Sequence, residues 1–308
     1  MSTRQPAIIV AGSINMDLVV CVDRFPVPGE TVRSRRFVTV PGGKGANQAA
    51  AATLAGGSVG MIGRVGDDIF GSACLGNLRS RGVDVSGIRI DPDAPTGNAM
   101  IAVDAAGQNE LIYTPGANGK VIPQDAEKAV DAISRADMVI LQFELPMPTV
   151  CGVVDLAFRL GRKILINPAP AETPPPDLFQ KVDYLIPNET EAELLTGINV
   201  TDPQSAMHAA EKLLQKGCRH VIVTLGSQGA LVHDGTGATH VPAGKIEVVD
   251  ATAAGDTFIG AFSVALAEGK SLVEAARFGC AAATLSVGKL GAQTSIPTRR
   301  EIESFLKD

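Results

Sequence analysis

The segment DATAAGDTF, residues 250–258, stands between two runs of different character. Residues 245–249 form a β-like run before it, and residues 257–267 form a helix-like run after it. Small residues occupy the junction, where they predict a strand-to-helix turn whose backbone a ligand can approach closely. A strand, a turn and a helix form the unit that layered α/β folds repeat. The segment is therefore predicted to join a strand to a helix.

The start of this predicted helix is a candidate site for chemistry. The first N–H groups of a helix have no partner within the helix, and the helix dipole is positive there, so a phosphate group fits the place well. Asp256 lies at the same point. An acid there commonly stabilises its own helix. It also suits a base that takes a proton from a hydroxyl group while the amides hold the phosphoryl group under attack. This stretch alone leaves both interpretations open.

Strands and helices alternate through most of the chain. Six apolar, strand-like runs between residues 8 and 225 are separated by helical patterns. This order predicts an α/β fold with a central, mostly parallel sheet and helices on both faces. Ligands bind beyond the C-terminal ends of the strands in such sheets. Polar residues recur at these ends, and they are Asn15, Glu144, Asn167, Asn188, Thr224 and Asp256.

Two pairs of β-rich segments, within residues 17–41 and 97–115, do not fit this alternation. Loops that contain proline, glycine and aspartate separate their members. The four segments predict a small sheet outside the main one. Because a small sheet with one apolar face is marginal alone, we expect it to cover a ligand site or the same sheet of a second subunit.

The glycine-rich segment PGGKGANQA, residues 41–49, runs into an alanine-rich helical pattern. It is not a Walker P-loop, because that motif would require glycine at Val38 and serine or threonine at Gly45. No G-x-G-x-x-G fingerprint follows a strand, which argues against a nicotinamide dehydrogenase. A plain tight turn would explain the glycines. The alternative is a polar ligand that Lys44 and Asn47 contact at the start of the helix.

Composition excludes several classes of partner. The 308 residues carry a formal net charge of -6 without a basic run, and tryptophan is absent, so we expect neither nucleic acid nor an anionic membrane as a partner. No signal peptide or membrane-spanning run is evident. An odd number of scattered cysteines indicates reduced thiols and a cytoplasmic protein. These are Cys21, Cys74, Cys151, Cys218 and Cys280.

The motifs GGKGAN (residues 42–47) and AAGDTF (residues 253–258), in this order, resemble the two signatures of the ribokinase (PfkB-type) family of carbohydrate kinases. The resemblance runs from about residue 8 to residue 297. It implies a single ribokinase-like α/β domain over residues 1–308, with the small sheet as a lid. It also implies ATP-dependent phosphorylation of D-ribose at O5. Further segments resemble ribokinases within the family: residues 12–17, 167–170, 187–193 and 289–293.

The resemblance also implies roles for particular residues. Asp256 would be the catalytic base, and an anion hole would be formed by the amides of Ala253, Ala254 and Gly255. The residues that would hold the sugar are Asn15, Asp17, Gly43, Lys44, Asn47, Glu144 and Asp256. Those that would bind ATP are Asn188, Thr224, Leu225, Gly226, Ser227, Gln228, Gly229, Gly255 and Cys280.

Two cations are implied in the same way. Asn188 and Glu191 match an N-x-x-E element that acts on the Mg²⁺–phosphate network through water. Ribokinases are activated by a monovalent cation, usually K⁺. The matching residues here are Asp250, Thr252, Ser286, Lys289, Gly291 and Ser295. The lid would also pair with its mate in a homodimer.

The sequence departs from the family pattern at two positions. Ala251 stands where threonine usually follows the aspartate, which puts in doubt the strength of the cation's effect. Cys280 stands where many ribokinases have histidine near the adenine, which puts in doubt the fine nucleotide preference.

Alternative functions are open at this point. The substrate could be 2-deoxyribose, fructose, a keto-deoxy sugar acid or a nucleoside. A sugar acid calls for an arginine, which the sugar residues lack although Arg33, Arg35 and Arg36 lie in the lid segment. A nucleoside calls for aromatic residues, which are sparse. A non-catalytic sugar-binding regulator should have lost its base, yet Asp256 is present.

Overall fold

The computed structural model describes residues 4–307, in which strands and helices alternate as predicted. The strands are β1 (Ala7–Ala11), β2 (Asn15–Cys21), β3 (Arg36–Gly42), β4 (Ser58–Gly66), β5 (Asp84–Asp91), β6 (Gly97–Val103), β7 (Asn109–Thr114), β8 (Met138–Gln142), β9 (Lys163–Asn167), β10 (Tyr184–Leu185), β11 (His220–Thr224), β12 (Ala230–His233) and β13 (Ala238–Val241). The helices are α1 (Lys44–Leu54), α2 (Ile69–Ser80), α3 (Pro123–Glu127), α4 (Val130–Arg135), α5 (Met147–Arg159), α6 (Glu189–Thr196), α7 (Pro203–Gln215), α8 (Ala254–Ala267), α9 (Leu272–Val287), α10 (Ala292–Ser295) and α11 (Arg299–Phe305).

The main sheet within the described residues has nine strands, in the order β13-β12-β11-β10-β9-β8-β1-β4-β5. Every neighbouring pair from β11 to β5 is parallel, whereas β12 and β13 are antiparallel additions at one edge. The predicted mostly parallel sheet is confirmed. Because parallel strands end at the same edge, the residues that follow β1, β8, β9, β10 and β11 come together there.

Helices cover both faces of this sheet, as the sequence predicted. Successive side chains of a strand point to opposite faces. In β1, Ile8 and Val10 belong to a core that includes Phe262 of α8, whereas Ile9 and Ala11 belong to a second core that includes Val153 of α5. The strand is therefore apolar throughout because both of its faces are buried.

The small sheet is also confirmed, and its strands have the order β3-β2-β6-β7. β2 pairs antiparallel with β3 and parallel with β6, while β6 and β7 form a hairpin. The C-terminal end of β3 leads directly into α1. The small sheet is thereby tied to the edge of the main sheet where the strand ends meet.

The β-like run at residues 245–249 is not a strand, so that prediction is wrong. Its apolar side chains are largely exposed, and Val248 keeps 64% of its accessible surface. The backbone of Val249 donates to the carbonyl of Val287 at the end of α9, over 2.7 Å. Among residues 4–307 no strand pairs with this segment, which runs past a helix end instead.

The sequence analysis also missed β5, which forms the other edge of the main sheet. Its residues Ser86 and Gly87 interrupt the apolar pattern, and its side chains are half-buried or exposed. An edge strand is covered on fewer sides than a central one, so its apolar signal is weak. Over residues 4–307, no helix is both long and apolar enough to cross a membrane.

Candidate active site

The turn before α8 contains the one non-glycine residue of the described chain with a left-handed backbone, Ala253, with φ of 61°. No side chain caps the helix. Within residues 4–307, the N–H groups of Gly255 and Asp256 have no hydrogen-bond acceptor. A strained turn with free N–H groups at a helix start is a suitable place for an anion.

Asp256 lies one turn into this site and is buried, with 8% of its surface exposed. One carboxylate oxygen accepts a hydrogen bond from the Asn47 amide over 3.0 Å, and the other accepts from the Gln48 amide over 2.9 Å. Burial raises the pKa of Asp256, while the Lys44 charge and the two amides act in the opposite direction without cancelling the increase. The carboxylate is thus held in place by neutral donors and kept more basic than usual.

Gln48 belongs to a short relay of amides that the sequence analysis missed. Its Oε1 accepts from the Gln142 amide over 2.6 Å, and its Nε2 also donates to Asn167 Oδ1 over 3.2 Å. These contacts fix which end of the Gln48 amide faces Asp256. The position of Gln48, directly after Asn47 on the first turns of α1, is the signal that could have identified it.

Glycines bring the start of α1 against the end of β1. A Cβ atom on Gly45 would lie only 2.6 Å from the carbonyl carbon of Gly12, and Gly43 has φ of 92°. This close approach places the backbone N–H of Lys44 3.2 Å from a carboxylate oxygen of Glu144. The Ser13 hydroxyl donates to the same oxygen. The glycine-rich segment therefore forms a turn and also lets the start of α1 pack closely against the end of β1.

Asp17 and Glu144 face the site from two different parts of the fold. Asp17 lies in β2 of the small sheet, and Glu144 follows β8 of the main sheet. Burial, followed by the charges of Glu144 and Asp256, raises the pKa of Asp17 to about 6. Burial also raises the pKa of Glu144, although Lys44 and Ser13 oppose the shift. The small sheet and the main sheet therefore each contribute a carboxylate that can accept hydrogen bonds from polar ligand groups.

Lys44 is the counter-charge to this group of acids. Burial lowers the pKa of its ammonium group, but the charges of Asp256, Glu144 and Glu191 outweigh that effect and raise it. The ammonium group therefore stays protonated at neutral pH. It lies where it can neutralise negative charge between the carboxylates.

Asn15 is held by a side chain that the sequence analysis did not identify. The Asn118 amide donates to Asn15 Oδ1 over 2.7 Å, while Asn118 Oδ1 accepts from the backbone N–H of Ile14 over 2.9 Å. This contact occupies the oxygen of Asn15 and leaves its NH₂ group as the available donor. Asn118 follows the hairpin β6–β7 in the chain, so only the fold brings it to Asn15.

A cavity of about 190 Å³ lies at the start of α8. Its walls combine a helix start, the lysine and several strand ends. The lining residues are Lys44, Asn167, Ala169, Ile186, Asn188, Glu191, Thr224, Ala251, Ala253, Ala254, Gly255, Asp256 and Ile259. The structure thereby brings together residues that the sequence analysis assigned to catalysis, to ATP and to Mg²⁺.

The segment after β11 lies beside this cavity. Thr224 lines it, and residues 226–228 form a short 3₁₀ turn that closes with a hydrogen bond from Leu225 N to Gly229 O over 2.8 Å. Gln228 donates to the carbonyl of Thr201 and thus faces away along the surface. Cys280 is separate from these residues, because its thiol is buried against Val241 in the core and does not line the cavity.

Asn188 and Glu191 form the capping box of α6. Glu191 accepts hydrogen bonds from the backbone N–H and the amide of Asn188, over 2.9 and 3.0 Å. Glu191 is buried, and burial raises its pKa. In the described part of the chain, no group of three or more His, Cys, Asp or Glu side chains is placed to hold a metal ion.

The residues assigned to a monovalent cation meet near the ends of α9 and α10. Asp250 accepts from the backbone N–H of Thr252 over 2.9 Å and from that of Gly291 over 2.8 Å. Burial raises the pKa of Asp250, but these hydrogen bonds outweigh it and lower the pKa. The Ser286 and Ser295 hydroxyls donate to carbonyls within their own helical turns.

Comparisons with known proteins identify the family of the chain. Residues 5–299 match the pfkB family of carbohydrate kinases. The ribokinase of Haemophilus influenzae is 40% identical over 298 residues, which cover 97% of this chain and 97% of that protein. The deoxyribokinase of Salmonella typhi is 35% identical over 300 residues, which cover 97% of this chain and 98% of that protein.

A solved structure extends the likeness to the whole fold. The structure of Arabidopsis thaliana ribokinase complexed with ribose and ATP has a TM-score of 0.93 to this chain, at 35% identity. The match covers 99% of this chain and 100% of that chain. The chain therefore belongs to the pfkB family of carbohydrate kinases.

Proposed function

We propose that this protein transfers the γ-phosphoryl group of ATP to the 5-hydroxyl group of D-ribose. The observation that carries the proposal is the position of Asp256 between two kinds of surroundings. On one side lie side-chain acceptors and donors, including Asp17, Asn47 and Glu144. On the other side lies a cavity with a helix start at which the N–H groups of Gly255 and Asp256 are free within residues 4–307. A polyol fits the first side and a phosphoryl group fits the second.

In this function Asp256 is the general base. It accepts the proton of the 5-hydroxyl as the oxygen attacks the γ-phosphorus, and the bond to the ADP oxygen breaks in line with the attack. The anion hole is proposed at the N–H groups of residues 253–255, which with Lys44 would stabilise the negative charge of the transferring group. Of these, the Ala254 N–H donates to the Ala251 carbonyl over 3.2 Å in this structure, so it would have to exchange that acceptor for the phosphoryl group. The raised pKa of Asp256 makes it a better proton acceptor than an exposed aspartate.

Sugar recognition in the proposal uses the acids and amides around Asp256. Carboxylates accept from sugar hydroxyl groups, while the NH₂ group of Asn15 and the ammonium group of Lys44 donate. A site built from such groups rejects analogues that lack a hydroxyl, because its own buried polar atoms would lose their partners. The proposed sugar-binding residues are Asn15, Asp17, Gly43, Lys44, Asn47, Glu144 and Asp256.

ATP lies along the cavity and the adjoining turn in this proposal. Thr224 and residues 225–229 follow β11 beside the helix start, and Asn188 lines the same cavity. Cys280 would pack in the core beneath the nucleotide. Its thiol would not contact ATP, because it is buried against Val241.

Mg²⁺ accompanies ATP in kinases of this kind, and the cavity fits it through water. Glu191 supplies a buried carboxylate whose two oxygens each accept from Asn188, so few lone pairs remain for direct contact. Mg²⁺ keeps several of its waters and needs only one or two carboxylates beside the phosphates. When bound, it neutralises phosphate charge, and Asn188 and Glu191 would hold its water shell.

We also propose K⁺ as an activating ion near Asp250. The lowered pKa of Asp250 keeps its carboxylate charged, and the adjoining turn is linked to the anion hole through Thr252 and Ala253. The Lys289 side chain pairs with Glu301, so Lys289 would contact the ion through its backbone carbonyl oxygen. The other proposed ligands are the Asp250 carboxylate and oxygens of Ser286, Gly291 and Ser295. Carboxylate and carbonyl oxygens suit a weakly hydrated cation. Ala251 replaces a hydroxyl near this site.

The small sheet serves as a lid and as a dimer contact in the proposal. Its exposed apolar side chains support this role, because contiguous exposed apolar residues mark interaction surfaces. They are Phe37, Met100 and Ile112, which strand register places on one face of the sheet, opposite the face that carries Asp17. Lid closure excludes water, so that ATP is not hydrolysed in place of the sugar reaction. The five free cysteines and the need for ATP are consistent with a cytoplasmic, single-domain enzyme.

The experiment that tests the function is ADP release by the purified protein with Mg-ATP over a panel of acceptors. The panel contains D-ribose, 2-deoxyribose, fructose, keto-deoxygluconate and nucleosides, each with K⁺ or Na⁺. We expect the highest kcat/KM for D-ribose with K⁺. A preference for 2-deoxyribose would reassign the sugar and keep the mechanism, and absence of activity on every acceptor would favour a sugar-binding regulator.

A further inference from the structure

The small sheet brings a tyrosine to the face that carries Asp17. In the register of the strands, Asp17 of β2 lies opposite Ala99 of β6, and Ala99 lies opposite Tyr113 of β7. Residues opposite one another on neighbouring strands share a face of the sheet. Neighbouring strands are about 4.8 Å apart, so the backbones of Asp17 and Tyr113 are separated by about 10 Å. Only the methyl group of Ala99 lies between them.

The Tyr113 hydroxyl is buried, and no group among residues 4–307 meets it with full hydrogen-bond geometry. The Asn118 side chain comes near enough to lower its pKa, but both amide hydrogens of Asn118 already have other acceptors. Native proteins pair nearly all of their buried polar groups, because an unpaired one has lost water and gained nothing in return. A phenol can both donate and accept a hydrogen bond. An unpaired phenol on this face of the sheet therefore indicates a partner that the chain itself does not supply.

The polar groups near Tyr113 are already occupied by other partners. The amide of Asn118 donates to Asn15 Oδ1 and to the carbonyl of Ile14. Glu144 accepts from Ser13 and from the N–H of Lys44. Each of these contacts belongs to the framework of the sugar side.

The electrostatics keep the phenol protonated. Burial and the nearby charge of Glu144 raise the pKa of Tyr113, and the Asn118 side chain opposes them without cancelling the increase. At neutral pH the side chain is therefore a neutral hydroxyl that can donate. This places a donor on the lid opposite the acceptors of the body.

We propose that Tyr113 is a sugar-contacting residue, whose hydroxyl hydrogen-bonds a hydroxyl group of the bound sugar from the lid side. The inference rests on the proposed sugar kinase function and adds a specificity-determining residue to it. An analogue without the contacted hydroxyl leaves the phenol unpaired again, so Tyr113 favours the complete sugar. The contact forms only when the lid is over the sugar, so it also favours closure.

The variant Tyr113→Phe tests this inference, because it removes one oxygen atom and keeps the ring. We expect KM for D-ribose to rise about 3- to 10-fold, the usual worth of a neutral hydrogen bond, with KM for ATP and kcat within about twofold of wild type. Tyr184→Phe is the matched control. Tyr184 is the other tyrosine of the chain, and it packs in the core against His220. Equal sugar KM values for Tyr113→Phe and wild type would overturn the inference.

Fluorescence gives a second, independent test of location. The chain has no tryptophan and two tyrosines, so Tyr113 is the sole remaining tyrosine in Tyr184→Phe. We expect D-ribose to change the tyrosine emission of Tyr184→Phe with saturation at the ribose dissociation constant. Tyr113→Phe should show no such change. If Tyr184→Phe still phosphorylates ribose but its tyrosine emission does not change with ribose, Tyr113 lies outside the sugar site.

Deoxy sugars identify the contacted group. The KM ratio of Tyr113→Phe to wild type is measured with D-ribose, 2-deoxyribose, 3-deoxyribose and 1,4-anhydroribitol. We expect the ratio to fall to about 1 for the one analogue that lacks the contacted hydroxyl. The same elevated ratio for every acceptor would overturn the inference. If wild type uses ribose and Tyr113→Phe matches it, this inference alone is wrong. If wild type does not use ribose, the proposed function fails first.

Discussion

Two buried aspartates of this protein lie in opposite electrostatic surroundings. Asp125 in α3 accepts hydrogen bonds from the guanidinium groups of Arg64 and Arg89, each over 2.8 Å. Asp256 in α8 accepts from two side-chain amides, over 3.0 and 2.9 Å. Both residues are buried, with 3% and 8% of their surfaces exposed. They differ in the charge of their partners, and Asp256 also lies deeper in the protein than Asp125 although both have little exposed surface.

The two surroundings shift the pKa in opposite directions. Burial raises the pKa of both carboxyl groups. At Asp125 the hydrogen bonds and charges of the arginines outweigh burial and lower the pKa. At Asp256 the neutral amides and Lys44 do not outweigh it, so the pKa stays raised. A carboxylate that is fully paired holds elements together, whereas one that is paired with neutral donors remains available as a base.

The largest effect expected from this difference is on turnover in Asp256→Asn. Loss of a general base lowers kcat by about 10²- to 10⁴-fold. The fold should be kept, because the substitution removes a buried charge and nearly preserves the shape of the side chain. Stopped assays of ADP release give kcat, and calorimetry with ATP and unfolding in urea provide the controls. Near-normal turnover would remove Asp256 from the role of base.

The second effect is on stability in Asp125→Asn. The substitution leaves Arg64 partly buried beside Asp91 with one charged partner instead of two. Breaking a buried ion pair lowers the free energy of unfolding by about 3 kcal/mol. We expect kcat of the folded enzyme to stay within about twofold of wild type. Urea unfolding measures the change, and an unchanged midpoint would contradict the structural role assigned to this cluster.

The smallest effect concerns Asp17, which lies between the two extremes because its pKa is raised to about 6 by burial and by two other acids. In the proposed sugar site its ionised form would accept hydrogen bonds from the sugar, so we expect kcat/KM for ribose to fall as the pH decreases below about 6. We expect Asp17→Asn to lower kcat/KM for ribose about 10- to 100-fold at pH 7.5, as expected for a lost hydrogen bond to a charged group. KM for ATP should hardly change.

The same variant should lose activity but gain stability. A carboxyl group whose pKa is raised on folding binds protons more tightly in the folded state, so wild-type stability decreases as the pH rises from about 4 to about 6. Asp17→Asn lacks that decrease, and it should be more stable than wild type at pH 7.5. Urea unfolding at pH 4.5, 6 and 7.5 measures the free energy of unfolding of both proteins.

The pH profile of kcat/KM provides the control for the activity prediction. If the decrease of kcat/KM at low pH persists unchanged in Asp17→Asn, that decrease would instead belong to Glu144, Glu191 or Asp256.

The sequence by itself determined the layers and most of the local chemistry. Alternating apolar runs predicted the mostly parallel sheet with helices on both faces, because both periodicities are local properties of the backbone. The small residues before Asp256 predicted the turn into α8, although the strand expected before that turn is absent and its left-handed position is held by Ala253 rather than by a glycine. Polar residues at strand ends, such as Asn15 and Glu144, predicted one crevice because parallel strands end at one edge. The second sheet followed from segments that broke the alternation.

Only the tertiary structure decided which side chains meet. Asn47 and Asp256 are 209 residues apart in the chain, and Asn15 and Asn118 are 103 apart. No local pattern records such contacts, because they arise when separate elements pack together. The same holds for Asp125, whose partners lie in β4 and β5, and for Tyr113, which strand register places on the same face of the small sheet as Asp17. A sequence sets what each segment can become, and packing sets what each side chain touches.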